Sequence, residues 1–87
     1  MSAATAAVTM YTTTWCGYCN RLKKLMQREG IEFVEVDIEV TEGAADVVMA
    51  ANGGNRTVPT LVFADGVALT NPSLDQVKAQ LAQLPGA

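Results

Sequence analysis

Two stretches of the chain alternate apolar and polar residues, and this alternation predicts β-strands. Residues 8–12 alternate in this way and are rich in residues that favour strands, so we expect the first strand there. Residues 32–38 present apolar side chains on one face and acidic ones on the other: Val34, Val36 and Ile38 against Glu35 and Asp37. One apolar and one charged face are typical of a half-exposed edge strand.

Two further strands are predicted in the second half of the chain. Residues 60–63 and 67–69 are short apolar runs separated by a turn at Ala64-Asp65-Gly66. Because Asp-Gly between two apolar runs is a strong hairpin signal, these strands should pair antiparallel.

Apolar residues recur at helical spacing in the segments between the strands. The first helix should run from Gly17 to about Glu29, before a stop at Gly30, with its apolar stripe at Tyr18, Leu22, Leu25 and Met26. The second should follow a cap at Thr41 and end at residues 52–54, with an inward face of Ala44, Val47, Val48 and Ala51.

A third helix is predicted near the C-terminus. Ser73 and Gln76 have the spacing of a capping box, which marks the start of a helix. Pro85-Gly86 should end this helix, whose buried stripe is Leu74, Val77, Leu81 and Leu84.

The element order is therefore β-α-β-α-β-β-α. The first two strands should be parallel with a right-handed crossover between them, which gives an α/β fold with a four-stranded mixed sheet and three flanking helices. With 87 residues the chain has room for one small core. We expect a single domain over residues 8–84, between a flexible N-terminal end at residues 1–7 and a C-terminal end at residues 85–87.

The composition narrows the classes of function. An apolar fraction of 49% with 17% charged residues is typical of a soluble globular chain. The net charge of −3 gives no electrostatic support for nucleic-acid binding. Residues 1–20 contain no charged side chain and several threonines, so they resemble neither a secretory signal nor a membrane span. We therefore expect a cytoplasmic protein that does not associate with membranes.

The candidate chemistry lies at two cysteines, Cys16 and Cys19, where the first helix begins. Unpaired N–H groups and the helix dipole favour negative charge there, and can lower a thiol pKa from about 8.5 to roughly 3.5–7.5. Because the thiolate is the nucleophile, this spacing predicts a thiol–disulfide exchange enzyme. Cys16 lies nearer the helix end and is the expected nucleophile. Cys19 is the expected resolving thiol, able to close a redox disulfide with Cys16.

The lack of histidine and the presence of only two cysteines argue against two other kinds of cysteine site, a hydrolase site and a zinc site. A Cys–His hydrolase would lack its base. Zinc usually takes four ligands, whereas this chain offers two cysteines, so we predict no metal site within one chain.

Three features near the cysteines leave alternatives open. Pro59 is either cis, presenting the Val58 backbone for pairing with a substrate, or an ordinary trans proline at a strand start. Trp15 and Tyr18 are either a platform for the substrate or part of the core. Residues 52–55 are either a flexible turn or help to shape the site.

These residues together resemble the glutaredoxin branch of the thioredoxin superfamily. The active-site segment of that family resembles Trp15-Cys16-Gly17-Tyr18-Cys19, and its Thr-Val-Pro loop with a cis proline resembles Thr57-Val58-Pro59. The element order matches from about Val8 to Leu84. The resemblance implies a thioredoxin fold, catalysis by Cys16 and Cys19, and substrate binding by Trp15, Gly17, Tyr18, Arg56, Thr57, Val58 and Pro59.

A closer resemblance is to the mycoredoxins, actinobacterial glutaredoxin-like proteins that work with mycothiol instead of glutathione. It covers residues 11–19, 52–60, 63–66 and 70–73. It implies that Cys16 takes the mycothiol moiety from a mycothiolated client protein and that a second mycothiol releases it. NADPH would act indirectly, through a mycothiol disulfide reductase. No cofactor would be tightly bound, and Cys19 would not be strictly required.

Two segments depart from ordinary glutaredoxins. Those proteins often carry a basic residue shortly before the active site, where this chain has Thr12-Thr13-Thr14. They commonly have Gly-Gly and then an acidic residue ahead of the last helix, where this chain reads Asn71-Pro72-Ser73-Leu74-Asp75. Both departures suit mycothiol, with its sugar–inositol head, better than glutathione.

Two other functions remain open. One is a dithiol redoxin reduced by thioredoxin reductase that supplies electrons to a ribonucleotide reductase, although the chain lacks that branch's Trp-Ser-Gly-Phe-Arg-Pro-like segment. The other is a glutaredoxin that carries an iron–sulfur cluster between two subunits with the help of added thiols. For the mycothiol enzyme we expect a monomer during turnover.

Overall fold

The computed structural model describes residues 7–84. Its elements follow the predicted order: β1 Val8–Thr12, α1 Gly17–Arg28, β2 Val34–Asp37, α2 Ala44–Ala51, β3 Thr60–Phe63, β4 Ala68–Thr70 and α3 Leu74–Leu81. The predicted C-terminal end, with Pro85-Gly86, lies outside the described residues, as does all of the predicted N-terminal end except Ala7. The carbonyl of Ala7 accepts a hydrogen bond from the N–H of Ala64 at 2.9 Å.

The four strands form one mixed sheet in the order β2-β1-β3-β4, as predicted. β1 pairs parallel with β2 and antiparallel with β3, and β3 pairs antiparallel with β4. Tyr11 lies opposite Val36 on one side and opposite Thr60 on the other. Because β1 is bonded along both sides, the end of β1 that leads into the cysteines is held between its neighbours.

The sheet separates two apolar clusters. Side chains alternate along β1, so Met10 packs on the face covered by α1 and α3, whereas Tyr11 packs on the face covered by α2. The larger cluster consists of Val8, Met10, Leu22, Met26, Leu61, Phe63, Val77 and Leu84. The smaller one consists of Ile38, Ala44 and Val48, with Tyr11, Val36, Ala45 and Val58 packed against it. The smaller cluster therefore ties the segment before β3 to helix α2.

The start of α2 differs from the prediction. Its N-cap is Gly43 rather than Thr41, and no side chain caps the first turn. Gly43 has a φ of 81°, a left-handed conformation that glycine adopts far more readily than threonine. Of the four residues predicted to face inward, two are buried and two are exposed: Ala44 and Val48 against Val47 and Ala51. A short helix on a sheet buries only one narrow stripe of its surface.

The remaining differences are small. Tyr18 was predicted in the apolar stripe of α1, but it lies in the exposed first turn of the helix. β2 begins two residues later than predicted, at Val34, and β4 lies one residue further along the chain. α3 ends at Leu81, yet Leu84 is still buried in the turn that follows. The capping box of α3 is present as predicted.

Candidate active site at the start of helix α1

Cys16 is the N-cap residue of α1. Its backbone is extended (φ −86°, ψ 110°), and its sulfur accepts a hydrogen bond from the N–H of Cys19 at 3.1 Å. The N–H of Cys16 donates to the carbonyl of Thr13 at 3.3 Å, which closes the turn between β1 and α1. The sulfur thus lies at the positive end of the helix dipole and satisfies one of the otherwise unpaired N–H groups.

Cys19 lies deeper in the protein than Cys16. Its exposed fraction is 1%, against 5% for Cys16, and the two sulfurs are not bonded to each other. Burial raises the pKa of the Cys19 thiol to about 12, and a hydrogen bond between the side chains of Cys19 and Cys16 is the second cause. At neutral pH Cys19 is therefore a protonated, covered thiol, and Cys16 is the sulfur that an incoming disulfide meets first.

The segment before β3 brings backbone groups next to Cys16. The peptide bond between Val58 and Pro59 is cis. Of the cis and trans conformations that the sequence left open for Pro59, the structure therefore has the cis form. The Cys16 thiol faces the carbonyl oxygen of Val58, with a sulfur–oxygen distance of 3.8 Å. Exposed backbone beside a reactive group can pair with an extended substrate segment as an added strand does. The structure thus brings together Cys16, Cys19, Val58 and Pro59.

Trp15, which directly precedes Cys16 in the chain, forms one wall of a groove. Its side chain is 71% exposed, and its indole N–H donates to Oε1 of Glu39 at 3.2 Å, which fixes the ring outside the core. The groove has a volume of about 490 Å³, and its other lining residues are Thr13, Ile38, Glu39, Ala45 and Arg56. It therefore combines an aromatic face, a cation and a carboxylate, and its volume suits a small-molecule ligand.

Tyr18 lines a second groove, of about 460 Å³, between α1 and the start of α3. Much of this surface is apolar, contributed by Leu22, Leu25, Pro72 and Leu74. The ring of Tyr18 is 68% exposed. Since Trp15 and Tyr18 both lie at the surface, the core alternative for these two aromatic residues is wrong. The two rings border different grooves and do not form one platform.

Two residues of the expected site have less specific surroundings. Gly17 is the first residue of α1, and a Cβ added there would meet no atom within 4 Å, so lack of space does not require glycine. Thr57 is exposed, and its carbonyl accepts a hydrogen bond from the hydroxyl of Thr60 at 2.7 Å.

Sequence reasoning missed the contacts that three residues make around the site. Glu39 orients Trp15, but in the sequence it is only one acidic residue among several in its region. Residues 52–55 were left open between a flexible turn and a role in shaping the site, and Thr60 was assigned only to a strand. The side chains of Asn52 and Thr60 hydrogen-bond at 3.0 Å beside residues 57–59. No spacing rule relates these partners, so no sequence signal could have found them.

Two searches of residues 7–84 gave negative results. No group of three or more His, Cys, Asp or Glu side chains is arranged to hold a metal ion. None of the helices in that range is long and apolar enough to cross a membrane.

Comparison with known proteins defines the class. The glutaredoxin family model matches residues 8–68, so the chain belongs to the glutaredoxin family, whose members are thiol–disulfide oxidoreductases. The glutaredoxin of Archaeoglobus fulgidus has a similar structure, with a TM-score of 0.72 and 26% identity over 87% of this chain and 86% of that one.

Two relatives narrow the class further. The chain is 58% identical over 82 residues to a Mycobacterium tuberculosis protein named as a glutaredoxin, covering 94% of this chain and 98% of that protein. It is 40% identical over 77 residues to Mycoredoxin 1 of Corynebacterium glutamicum, covering 88% of this chain and 95% of that protein. The chain is therefore a mycoredoxin homologue among the glutaredoxins.

Proposed function

We propose that this protein reduces mixed disulfides between client proteins and mycothiol. The thiolate of Cys16 attacks the mycothiol sulfur of the mixed disulfide. A bond forms between Cys16 and mycothiol, and the client cysteine leaves as a thiolate that takes up a proton. The thiolate of a second mycothiol then attacks the mycothiol sulfur on Cys16, which releases mycothiol disulfide and the Cys16 thiolate. NADPH reduces that disulfide through a separate mycothiol disulfide reductase.

The contrast between the two sulfurs carries this proposal. Cys16 is more exposed, accepts the N–H of Cys19 and faces the backbone of Val58. Cys19 is buried, and its raised pKa keeps it protonated at neutral pH. A protonated, buried thiol attacks a disulfide poorly, which favours attack by the thiolate of a free mycothiol over closure of a Cys16–Cys19 disulfide. The geometry thus supports a mechanism that needs one cysteine.

The groove beside Trp15 supports mycothiol as the thiol co-substrate. The head of mycothiol is a sugar–inositol unit rich in hydroxyl groups, which need both donors and acceptors. Arg56 supplies donors, Glu39 keeps one carboxylate oxygen beside the one bonded to the indole, and the Trp15 ring offers an apolar face. The similarity to Mycoredoxin 1 supports the same choice.

The remaining substrate contacts are proposed on position. Val58 presents its backbone to the client or to the cysteine part of mycothiol, and the flanking Thr57 and Pro59 hold that segment in place. Tyr18 and Gly17 border the exposed first turn of α1. We further propose that the protein works in the cytoplasm as a monomer. Sedimentation of the reduced protein tests the oligomeric state.

The test is NADPH consumption on a mycothiolated model protein in three reconstituted systems. One contains mycothiol and mycothiol disulfide reductase, one glutathione and glutathione reductase, and one thioredoxin reductase alone. Turnover with mycothiol only, lost in Cys16→Ser and kept in Cys19→Ser, is the expected result. Turnover with thioredoxin reductase alone, lost in both variants, would instead identify a dithiol redoxin.

A further inference from the structure

We propose that Asn52 is a positioning residue: through Thr60, its amide holds the backbone of residues 57–59 where a substrate pairs beside Cys16. This inference rests on the proposed function, in which the Val58 backbone contacts the substrate. The side-chain hydrogen bonds of Asn52 run to Val48, Thr60 and Thr70, and none of them joins it to Cys16.

The Asn52 side chain joins three elements of the fold. Its Nδ2 donates to the carbonyl of Val48 in α2 and to Oγ1 of Thr60 in β3, both at 3.0 Å. Its Oδ1 accepts from the hydroxyl of Thr70 in β4. An amide group has two N–H donors and one carbonyl acceptor, and all of them are engaged here. A carboxylate has no N–H donors, and an apolar side chain has neither donors nor acceptors. Only an amide therefore makes this set of bonds.

Thr60 passes this connection to the segment beside Cys16. Its side chain is fully buried, and its hydroxyl accepts from Asn52 and donates to the carbonyl of Thr57 at 2.7 Å. At the other end of the segment, the carbonyl of Pro59 accepts from the N–H of Asn71 at 2.7 Å. The carbonyls on both sides of Val58 are therefore fixed, and the Val58 carbonyl faces Cys16.

The network matters because residues 57–59 belong to no helix or strand. Ladder hydrogen bonds therefore do not set their position, which depends on the Thr60 hydroxyl at one end and the N–H of Asn71 at the other. Misplacement of a substrate-binding group by about 1 Å can cost on the order of a hundredfold in rate. A buried polar network in which every member has its partners is suited to set a position this closely.

A positioning role and a purely structural role predict different kinetics. If Asn52 only stabilises the fold, its loss lowers the rate of reaction with all substrates to the same extent, in proportion to the loss of stability. If Asn52 positions the segment, its loss weakens the binding of substrates that pair with the backbone of residues 57–59. The intrinsic reactivity of Cys16 then stays unchanged. Two substrates separate these cases: a peptide mixed disulfide with mycothiol, and hydroxyethyl disulfide, which has no peptide groups.

The experiment compares Asn52→Ala, Thr60→Val and Thr60→Ser with the wild type. Thr60→Val keeps the shape of the side chain but removes the hydroxyl, whereas Thr60→Ser keeps the hydroxyl. Val77→Ala, in the larger cluster on α3, is the control for lost stability. The measurements are KM and kcat for the peptide, the rate constant of Cys16 with hydroxyethyl disulfide by mass spectrometry, and the urea midpoint.

We expect Asn52→Ala and Thr60→Val to raise KM for the peptide about tenfold, with the hydroxyethyl disulfide rate changed by less than about twofold. Thr60→Ser should restore the wild-type KM, and Val77→Ala should lower the urea midpoint without raising KM. An unchanged KM, or a parallel loss with both substrates as stability falls, would overturn the proposal.

Two further outcomes are also decisive. If Asn52→Ala does not fold, the matched pair Thr60→Val and Thr60→Ser gives the answer by itself. If the wild type reduces a glutathionylated peptide but not the mycothiolated one, the proposed co-substrate is wrong. The same comparison of KM values with the glutathionylated peptide then tests the role of Asn52 independently.

Discussion

Helices α1 and α3 begin with the same hydrogen bond made by different atoms. In α1 the sulfur of Cys16 accepts from the N–H of Cys19, and in α3 the hydroxyl of Ser73 accepts from the N–H of Gln76. Both bonds measure 3.1 Å and join the cap to the third helical residue. At α3 the bond is reciprocated, because the Gln76 side chain accepts from the N–H of Ser73 at 2.8 Å. At α1 the third residue is a buried cysteine, which makes no such return bond.

The difference separates a structural use of a helix start from a chemical one. The serine hydroxyl stays protonated at neutral pH, so its bonds only stabilise the helix. The thiol is a weaker acceptor than a hydroxyl, but its sulfur can act as a nucleophile, so at α1 the atom that caps the helix is also the atom proposed to react. Leu22 and Met26 also anchor α1 in the larger cluster, so this helix does not depend on its cap alone.

Replacing the sulfur that caps α1 by oxygen should have the largest effect on turnover. In Cys16→Ser an oxygen keeps the cap but cannot form the mixed disulfide, so turnover should fall by about a thousandfold or more. The free energy of unfolding should stay the same or rise by up to about 1 kcal/mol, since serine is a good N-cap. NADPH-coupled turnover and urea unfolding of the same preparation measure the two quantities. Substantial turnover in Cys16→Ser would mean that Cys16 is not the nucleophile.

The second prediction concerns the pH dependence of Cys19. Because its pKa is raised to about 12, its thiolate fraction should increase about tenfold per pH unit between pH 7 and 10. Iodoacetamide labelling followed by peptide mass spectrometry should show this slope at Cys19. A plateau in Cys19 labelling below pH 9 would contradict the raised pKa.

The same shift has a consequence for stability. In the unfolded chain the Cys19 thiol ionises near pH 8.5, whereas in the folded protein it stays protonated to higher pH. The unfolded state therefore gains from ionisation as the pH rises above about 8.5, and stability should fall there. Cys19→Ser should reduce this fall, as urea unfolding at pH 7 and pH 10 would show.

Removing the cap of α3 should cost stability and leave the cysteine chemistry unchanged. Ser73→Ala loses the bond from the N–H of Gln76 to the Ser73 hydroxyl but keeps the backbone N–H of residue 73 that donates to the Gln76 side chain. The free energy of unfolding should therefore fall by about 1 kcal/mol, or roughly fivefold in the folding equilibrium. The rate of Cys16 alkylation by iodoacetamide should not change. A slower alkylation in Ser73→Ala would show that the two helix starts are coupled.

The smallest effect is expected for the activity of Cys19→Ser. The cap bond to Cys16 comes from the backbone N–H of residue 19, which the substitution keeps. Turnover with mycothiol should therefore stay within about threefold of the wild type. A loss as large as that of Cys16→Ser would point to a dithiol cycle and against the proposed mechanism.

The sequence by itself determined the features that depend on neighbouring residues. The alternation in residues 8–12, the Asp-Gly turn and the box formed by Ser73 and Gln76 predicted the element order, the mixed sheet and the start of α3. The spacing of Cys16 and Cys19 placed both sulfurs at one helix start for the same reason. A strand, a turn or a cap is formed by residues a few positions apart, so their identities suffice.

Only the tertiary structure decided the contacts between distant segments. The bond between Trp15 and Glu39 spans 24 positions, and the one between Asn52 and Thr70 spans 18. Neither follows from a periodic pattern, because each depends on which elements meet and at what register. The start of α2 was missed for a related reason, since the φ of 81° at Gly43 follows from the path between β2 and α2. The sequence thus located the candidate nucleophile, Cys16, and the packing of α2, β3 and β4 decided what surrounds it.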